Sequence, residues 1–379
     1  MNLLFFSSMG GSPWGGSEEL WHRAALAAFH DGHTVAVSVF DFGALVPQVE
    51  ELRTKGATII SRPRRPSRIA ELLARRPWLA AIDALKPDAV CLSQGSAYEC
   101  VGRRSTRPLL DWLDRTKTPF VNVVQFNEPK NDLRPPTIAA SRRLFELAST
   151  NAFVAARNIA EAAETLATPI PRSRVVRNPV NLADTSPLPP PATMSPFRFA
   201  TVARLHTDAK GQDMLLDALA SRPWRAEPWS LSLFGTGQDE QRLRDQADRL
   251  GLSDKVHFMG QCHDIRALWT DHHMLVLPSR AEGTPLAMVE AMLLARPCLV
   301  TDVGGCADWI TDSTNGYLAT PTIQGIAAAL DRAWGARHRT AELAQAARDR
   351  AEQLHDPRPG QTLLHEIKAA ISTRPQTRR

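Results

Sequence analysis

The stretch Ser186-Pro187-Leu188-Pro189-Pro190-Pro191 constrains the fold most. Proline has no backbone N–H and a fixed φ, so neither a helix interior nor a central strand can run through this segment. On both sides of it the same alternation recurs: short apolar runs, turn residues, then helical periodicity. That pattern predicts two α/β domains joined by a proline-rich linker, and 379 residues suffice for two cores. The expected divisions are a first domain over 1–180, a linker over 181–196, a second domain over 197–355, a helix over 356–372 that returns to the first domain, and a disordered tail over 373–379.

In the first half, Leu3 to Phe6 reads as a strand, followed by a glycine-rich loop from Ser8 to Ser17. Ser17 is then expected to cap a helix from Glu18 to His30, stopped by Gly32. Further strands are expected at 34–40, 57–60, 89–93, 120–125, 152–155 and 175–176. The second half repeats the pattern, with strands at 197–203, 231–234, 256–258, 274–277 and 298–301 and helices at 213–220 and 238–250. Both halves read as Rossmann-like, doubly wound parallel sheets facing each other across a cleft, with ligands beyond the carboxyl ends of the strands.

Charged residues at 22% and apolar residues at 43% are those of a globular protein. No apolar run approaches the ~18 residues that cross a bilayer, and the opening Met1-Asn2-Leu3-Leu4-Phe5-Phe6 is too short and lacks the basic start of a signal peptide, so a cytoplasmic location is expected. The five cysteines show no C-x-x-C spacing and the 11 histidines no ligand spacing, so neither disulfides nor a metal site are expected. A net charge of +5 suits an anionic ligand, an anionic membrane surface or nucleic acid alike, and does not choose among them.

The chemistry concentrates in Ser279 to Met292. The strand Met274 to Leu277 ends at Pro278. Thr284 is expected as the N-cap and Pro285 as the first residue of a helix, so the free N–H groups of Leu286 and Ala287 face whatever lies at the helix start. An anion such as a diphosphate suits that position. Glu282 before the helix and Glu290 about one turn inside it flank the anion, and carboxylates accept hydrogen bonds from vicinal hydroxyls. A nucleotide sugar, with hydroxyl-rich groups on both sides of a diphosphate, satisfies the pattern. The same spacing also suits an amphipathic helix with one solvated and one capping glutamate. Other strand ends of this domain add Arg204, Lys210-Gly211, Gly235-Thr236-Gly237 and Phe258-Met259-Gly260: cations able to neutralise a diphosphate in place of a metal, and glycines permitting close backbone approach.

These residues resemble the glycosyltransferase family 4 group of the GT-B fold, most strongly in Val202-Ala203-Arg204-Leu205 with Lys210-Gly211, in Leu233 to Gly237, in Val256 to Gly260, and in the pair Glu282-Gly283 and Glu290-Ala291-Met292. Val303-Gly304-Gly305 and Asn315-Gly316 complete the match. The resemblance implies a retaining, metal-independent transferase with no cofactor, acting on a nucleotide-diphosphate sugar. Arg204 and Lys210 would hold the diphosphate, Glu282 the transferred sugar and Glu290 the ribose, with the base near Phe258 and Met259 and the turn Gly283-Thr284-Pro285-Leu286 around the phosphates. The first domain would be the acceptor side, with Gly15 and Gly16 in its opening loop. Where many members carry a histidine after the strand Val121 to Val124, this chain has Gln125-Phe126-Asn127-Glu128. Asn127 is expected to contact a donor hydroxyl and Glu128 to act as an acceptor-side base, or the two only cap the turn. Ser93-Gln94-Gly95-Ser96 is a further candidate acceptor contact.

A sugar-nucleotide 2-epimerase shares this architecture and is the competing enzyme class. Arg62-Pro63-Arg64-Arg65-Pro66 with Arg68, Arg75 and Arg76 motivates a third reading, peripheral contact with an anionic membrane. Nucleic acid is not expected, because no aromatic array interleaves these cations. The acceptor, whether saccharide, lipid or small molecule, is not specified.

Overall fold

The computed structural model describes residues 1–64, 76–127 and 133–372. Its chain divides into two compact units, Met1–Pro179 with Asp356–Arg379, and Val180–His355.

The first unit holds β1 (Asn2–Ser7), β2 (Thr34–Phe40), β3 (Thr58–Arg62), β4 (Ala89–Ser96), β5 (Phe120–Phe126), β6 (Thr150–Phe153) and β7 (Ser173–Val175), paired in the order β3-β2-β1-β4-β5-β6-β7. Every pairing is parallel. Successive side chains of a strand face opposite sides, so Leu3 and Phe5 of β1 join one core with Leu20 and Trp21, while Leu4 and Phe6 join another with Trp78, Ile82 and Trp112. The first of these cores also contains Leu363, Leu364 and Ile367 of the helix Pro359–Ser372, which packs on the helix Glu19–His30. Burying side chains of this size contributes about 1.5–3 kcal/mol each, which anchors the C-terminal helix in the first unit.

The second unit holds β8 (Phe197–Val202), β9 (Trp229–Phe234), β10 (Val256–Gly260), β11 (Met274–Leu277), β12 (Cys298–Thr301) and β13 (Gly316–Ala319), also parallel, in the order β10-β9-β8-β11-β12-β13. In both sheets the strand order reverses once, between β1 and β4 and between β8 and β11. The loops that leave these two pairs of strands diverge, opening the crevice where parallel sheets bind ligands.

Several expectations change. β13 was not anticipated; its four residues carry no alternation long enough to read. The stretch expected as a linker lies against the second unit, where Leu182 and Leu188 pack on the core. There the buried Arg296 donates to the carbonyls of Leu188 and Pro189. Arg62, first in the expected basic face, is instead the last residue of β3 and only 1% exposed. Its guanidinium lies between the rings of Phe6 and Phe40, 3.8 and 4.3 Å from their centroids, and donates to the Ser7 and Ser38 carbonyls. It is thereby lost to any membrane-facing patch. Arg65, Pro66, Arg68 and Arg75 of that stretch, Glu128, and the tail expected to be disordered lie outside the described residues. No described helix is long and apolar enough to cross a membrane.

Candidate functional site

The reversal between β8 and β11 brings two loops together. The β8 loop ends in a short helix, Thr207–Lys210, closed by Gly211 at φ +64. The β11 loop carries Ser279 to Glu282. The backbone N–H of Arg280 donates to the Ala209 carbonyl at 2.8 Å, and the Arg280 guanidinium grips both oxygens of Asp213 at 2.7 and 2.8 Å. Such two-pronged pairs fix orientation as well as charge. So held, Lys210 Nζ donates to Glu282 Oε1 at 2.5 Å, and Ser279 Oγ donates to the same oxygen at 2.7 Å. The Thr301 hydroxyl in turn fixes the Ser279 carbonyl at 2.5 Å. Glu282 is 9% exposed and the Lys210 side chain 20%.

Gly304, at φ +50, lets this loop seat: a Cβ there would collide with the carbonyls of Glu282 and Gly283. The Gly305 N–H meets the Gly283 carbonyl at 2.6 Å. Thr284 is not the N-cap. The helix runs Leu286–Leu293 with Pro285 in the capping position, since its ring-fixed φ of −63 accommodates an extended ψ of 116. Leu286 and Ala287 are half-buried at the helix start and every residue from Met288 to Leu293 is buried. Glu290 is 4% exposed. Neither glutamate is solvated, which removes the amphipathic-helix alternative. Burial pushes the Glu290 carboxyl up, while the Asn181 N–H, donating to its Oε1 at 2.8 Å, offsets part of that rise. Asn181 was read as the start of the linker; the signal that could have found it is the turn-forming Asn178-Pro179 just ahead.

The remaining expected residues of this unit divide. Arg204 is exposed at the end of β8. The Gly235 N–H donates to the Gly260 carbonyl at 2.7 Å, joining the ends of β9 and β10. Phe258 packs against the core with the Arg244 guanidinium 4.3 Å over its ring, so its face is taken. Met259 is 53% exposed and offers the apolar surface expected for a base.

In the first unit, the reversal between β1 and β4 places the glycine-rich loop beside Gly95 and Ser96. An open cavity of about 560 Å³ lies here, lined by Met9, Gly11, Gly95, Ser96, Glu99 and Arg103 among others. Glu99 accepts from Ser8 Oγ, the Gly95 N–H and Arg103. Gln94 is not an acceptor contact: its amide is used internally by Asn122 and the Cys100 N–H. Gly15 is half-buried, its carbonyl taken by the Glu18 N–H, and Gly16 is exposed. Asn127 is 2% exposed at the end of β5. Ser17 does not cap the helix Glu19–His30; its hydroxyl points to Met9 Sδ.

Glu18, the expected first residue of that helix, is 4% exposed. Burial pushes its carboxyl from 4.5 up to about 7, with the Ser7 hydroxyl and Trp21 opposing. The folded state therefore holds a proton that the unfolded state releases. The stability this group carries is full below pH 4.5 and is lost as pH rises to about 7. Glu18→Gln never charges, so above pH 7 it is expected to be more stable than the parent by roughly 3 kcal/mol, with the advantage gone below pH 4.5. Parallel melting curves for the two proteins across that range would contradict this. Among the described residues, no group of three or more metal-ligating side chains comes together.

A family described as "Glycosyl transferases group 1" matches residues 196–335. The chain is 29% identical over 110 residues to an uncharacterized glycosyltransferase of Haemophilus influenzae, covering 29% of this chain and 31% of that protein. It is 30% identical over 152 residues to the lipopolysaccharide 1,6-galactosyltransferase of Salmonella typhimurium, covering 39% and 42%. The matched segments thus span under half the length of these curated relatives. Among solved structures, Anabaena HepE in complex with UDP superposes with a TM-score of 0.75 at 20% identity, covering 98% of this chain and 100% of that one. The fold is that of the GT-B glycosyltransferases.

Proposed function

We propose that this chain, built on the GT-B fold of glycosyltransferases, moves a sugar from a nucleotide-diphosphate sugar to a saccharide acceptor, with retention and without a metal. The observation that carries this reading is the Lys210–Glu282 pair beside the start of the helix Leu286–Leu293, with the buried Glu290 one turn further on. The helix start and Lys210 take the diphosphate. Lys210, aided by Arg204, stabilises the charge that grows on the leaving diphosphate, the role a metal plays elsewhere. Glu282 accepts from hydroxyls of the transferred sugar. Glu290 accepts from hydroxyls of the ribose. UDP is the nucleotide to test first, since HepE was solved with it, and the relative named for lipopolysaccharide suggests a saccharide acceptor.

The test is turnover of UDP-glucose and UDP-galactose by the full chain, with and without saccharide acceptors. UDP release that requires an acceptor, with a new glycoside formed, is expected. An epimerised nucleotide sugar formed without any acceptor would replace the transferase reading with the 2-epimerase one.

A further inference from the structure

We infer that Asp239 is a positioning residue for Lys210, acting from the β9 loop through Thr207. This rests on the donor-site reading, in which Lys210 holds the diphosphate. β8 lies between β9 and β11 in the sheet, so the β8 loop that carries Arg204 and Lys210 runs between the loops that leave those two strands. On the β11 side, the Arg280 guanidinium donates to the Thr207 carbonyl at 2.5 Å. On the β9 side the two backbones are bonded to each other: the Leu205 N–H donates to the Thr236 carbonyl at 3.0 Å and the Asp239 N–H to the Leu205 carbonyl at 3.2 Å. A Cβ at Gly235 would lie 2.0 Å from the Ala203 carbonyl oxygen and one at Gly237 2.1 Å from that of Leu205, so these glycines let the β9 loop lie flush against the β8 loop.

Asp239 completes this join with its side chain. It stands just before the helix Glu240–Arg249, where an aspartate ordinarily caps, yet its carboxylate makes no capping bond to that helix. Oδ2 instead accepts from the Thr207 N–H at 2.7 Å and from the Thr207 hydroxyl at 3.0 Å, 32 residues back in the chain. The Arg242 guanidinium donates to the same hydroxyl at 3.2 Å. The Thr207 N–H, with the hydroxyl, His206 and Arg242, holds the Asp239 carboxyl below the usual carboxylate range, so it is charged at neutral pH.

Thr207 is 1% exposed and opens the helix Thr207–Lys210, so its N–H is an orphan donor of that helix until Asp239 accepts it. A helix of four residues cannot hold its own shape. The place of Lys210 Nζ, 2.5 Å from Glu282, therefore depends on how Thr207 is fastened at the other end of the turn. A charged group displaced by about 1 Å can lose up to 10²-fold of its effect. Asp239 thus gives up a cap on its own helix in order to fix the turn that ends in the diphosphate-binding cation.

The test is calorimetric titration of the full chain with UDP and with UMP, in the parent, Asp239→Ala, Lys210→Ala and the double variant. Asp239→Ala is expected to weaken UDP about fivefold while UMP affinity holds, because only the second phosphate meets Lys210. The double variant is expected to bind UDP no more weakly than Lys210→Ala alone, the mark of two residues acting through one contact. Asp239→Asn keeps an oxygen for the Thr207 N–H and is expected to recover most of the loss. If Asp239→Ala does not fold, Thr207→Val, which removes the hydroxyl and keeps the side chain's shape, takes its place with the same pattern expected. Unchanged UDP affinity in the single variant, equal weakening of UDP and UMP, as a general loosening of the unit would give, or losses that multiply in the double variant would each overturn the inference. A parent chain that binds UDP no better than UMP, or a preference that survives Lys210→Ala, would sink the donor-site reading of Lys210 instead.

Discussion

Lys210→Ala is expected to lower kcat/KM for the nucleotide sugar about 100-fold or more, the usual cost of removing one preorganised charge from a developing anion. The structure makes this lysine difficult to replace. It ends a four-residue helix fixed by Gly211, its neighbour Ala209 accepts from the Arg280 backbone, and its ammonium sits 2.5 Å from a carboxylate that is 9% exposed. No solvent cation takes that place without rebuilding the loop. Truncation also strands Glu282, leaving Ser279 as its remaining side-chain donor, so a modest loss of thermal stability should accompany the kinetic one. Steady-state UDP release measures the first and calorimetry the second. Activity that survives Lys210→Ala but requires added Mg²⁺ would contradict the role given to the lysine.

Glu282→Ala and Glu290→Ala are expected to fail in different ways. Glu282 serves the reacting sugar, so its loss should fall mainly on kcat, by about 100-fold. Glu290 serves a ribose that does not change during reaction. Losing such uniform binding raises the dissociation constant for nucleotide, by about tenfold, and leaves kcat near the parent value. The burial of Glu290 makes the comparison clean: its carboxylate is already ordered by Asn181 before nucleotide binds. Equal, small effects of both substitutions on both parameters would argue against dividing the donor between them.

The elements that carry the fold were legible because their signals are local. β1, β8 and β11 are short apolar runs ended by turn residues, and the helices between them show regular periodicity, so their positions agree within one or two residues. The donor loop was legible for the same reason, Glu282 and Glu290 lying in one stretch whose turn and helix residues are contiguous. What stayed hidden depends on pairing across long separations. The Lys210–Glu282 contact spans 72 residues and the Glu290–Asn181 contact 109. Strand order, which follows from neither partner's own sequence, creates the first. Arg62 and Glu18 look like surface charges in sequence, and both are buried in the fold, Arg62 between the rings of Phe6 and Phe40 and Glu18 beside Ser7 and Trp21. The burial of Gln125 and Asn127 is less legible still: Asn and Gln read as polar turn residues, and only the finished sheet shows them enclosed.

The most direct test of the donor site is a calorimetric titration of the full chain with UDP and with UMP. One UDP per chain is expected to bind saturably, with UMP weaker by about tenfold or more because it lacks the second phosphate that Lys210 and the helix start are built to hold. That difference should shrink in Lys210→Ala. Equal affinity for UDP and UMP in the parent chain, or no saturable binding of either, would contradict a diphosphate site at the reversal between β8 and β11.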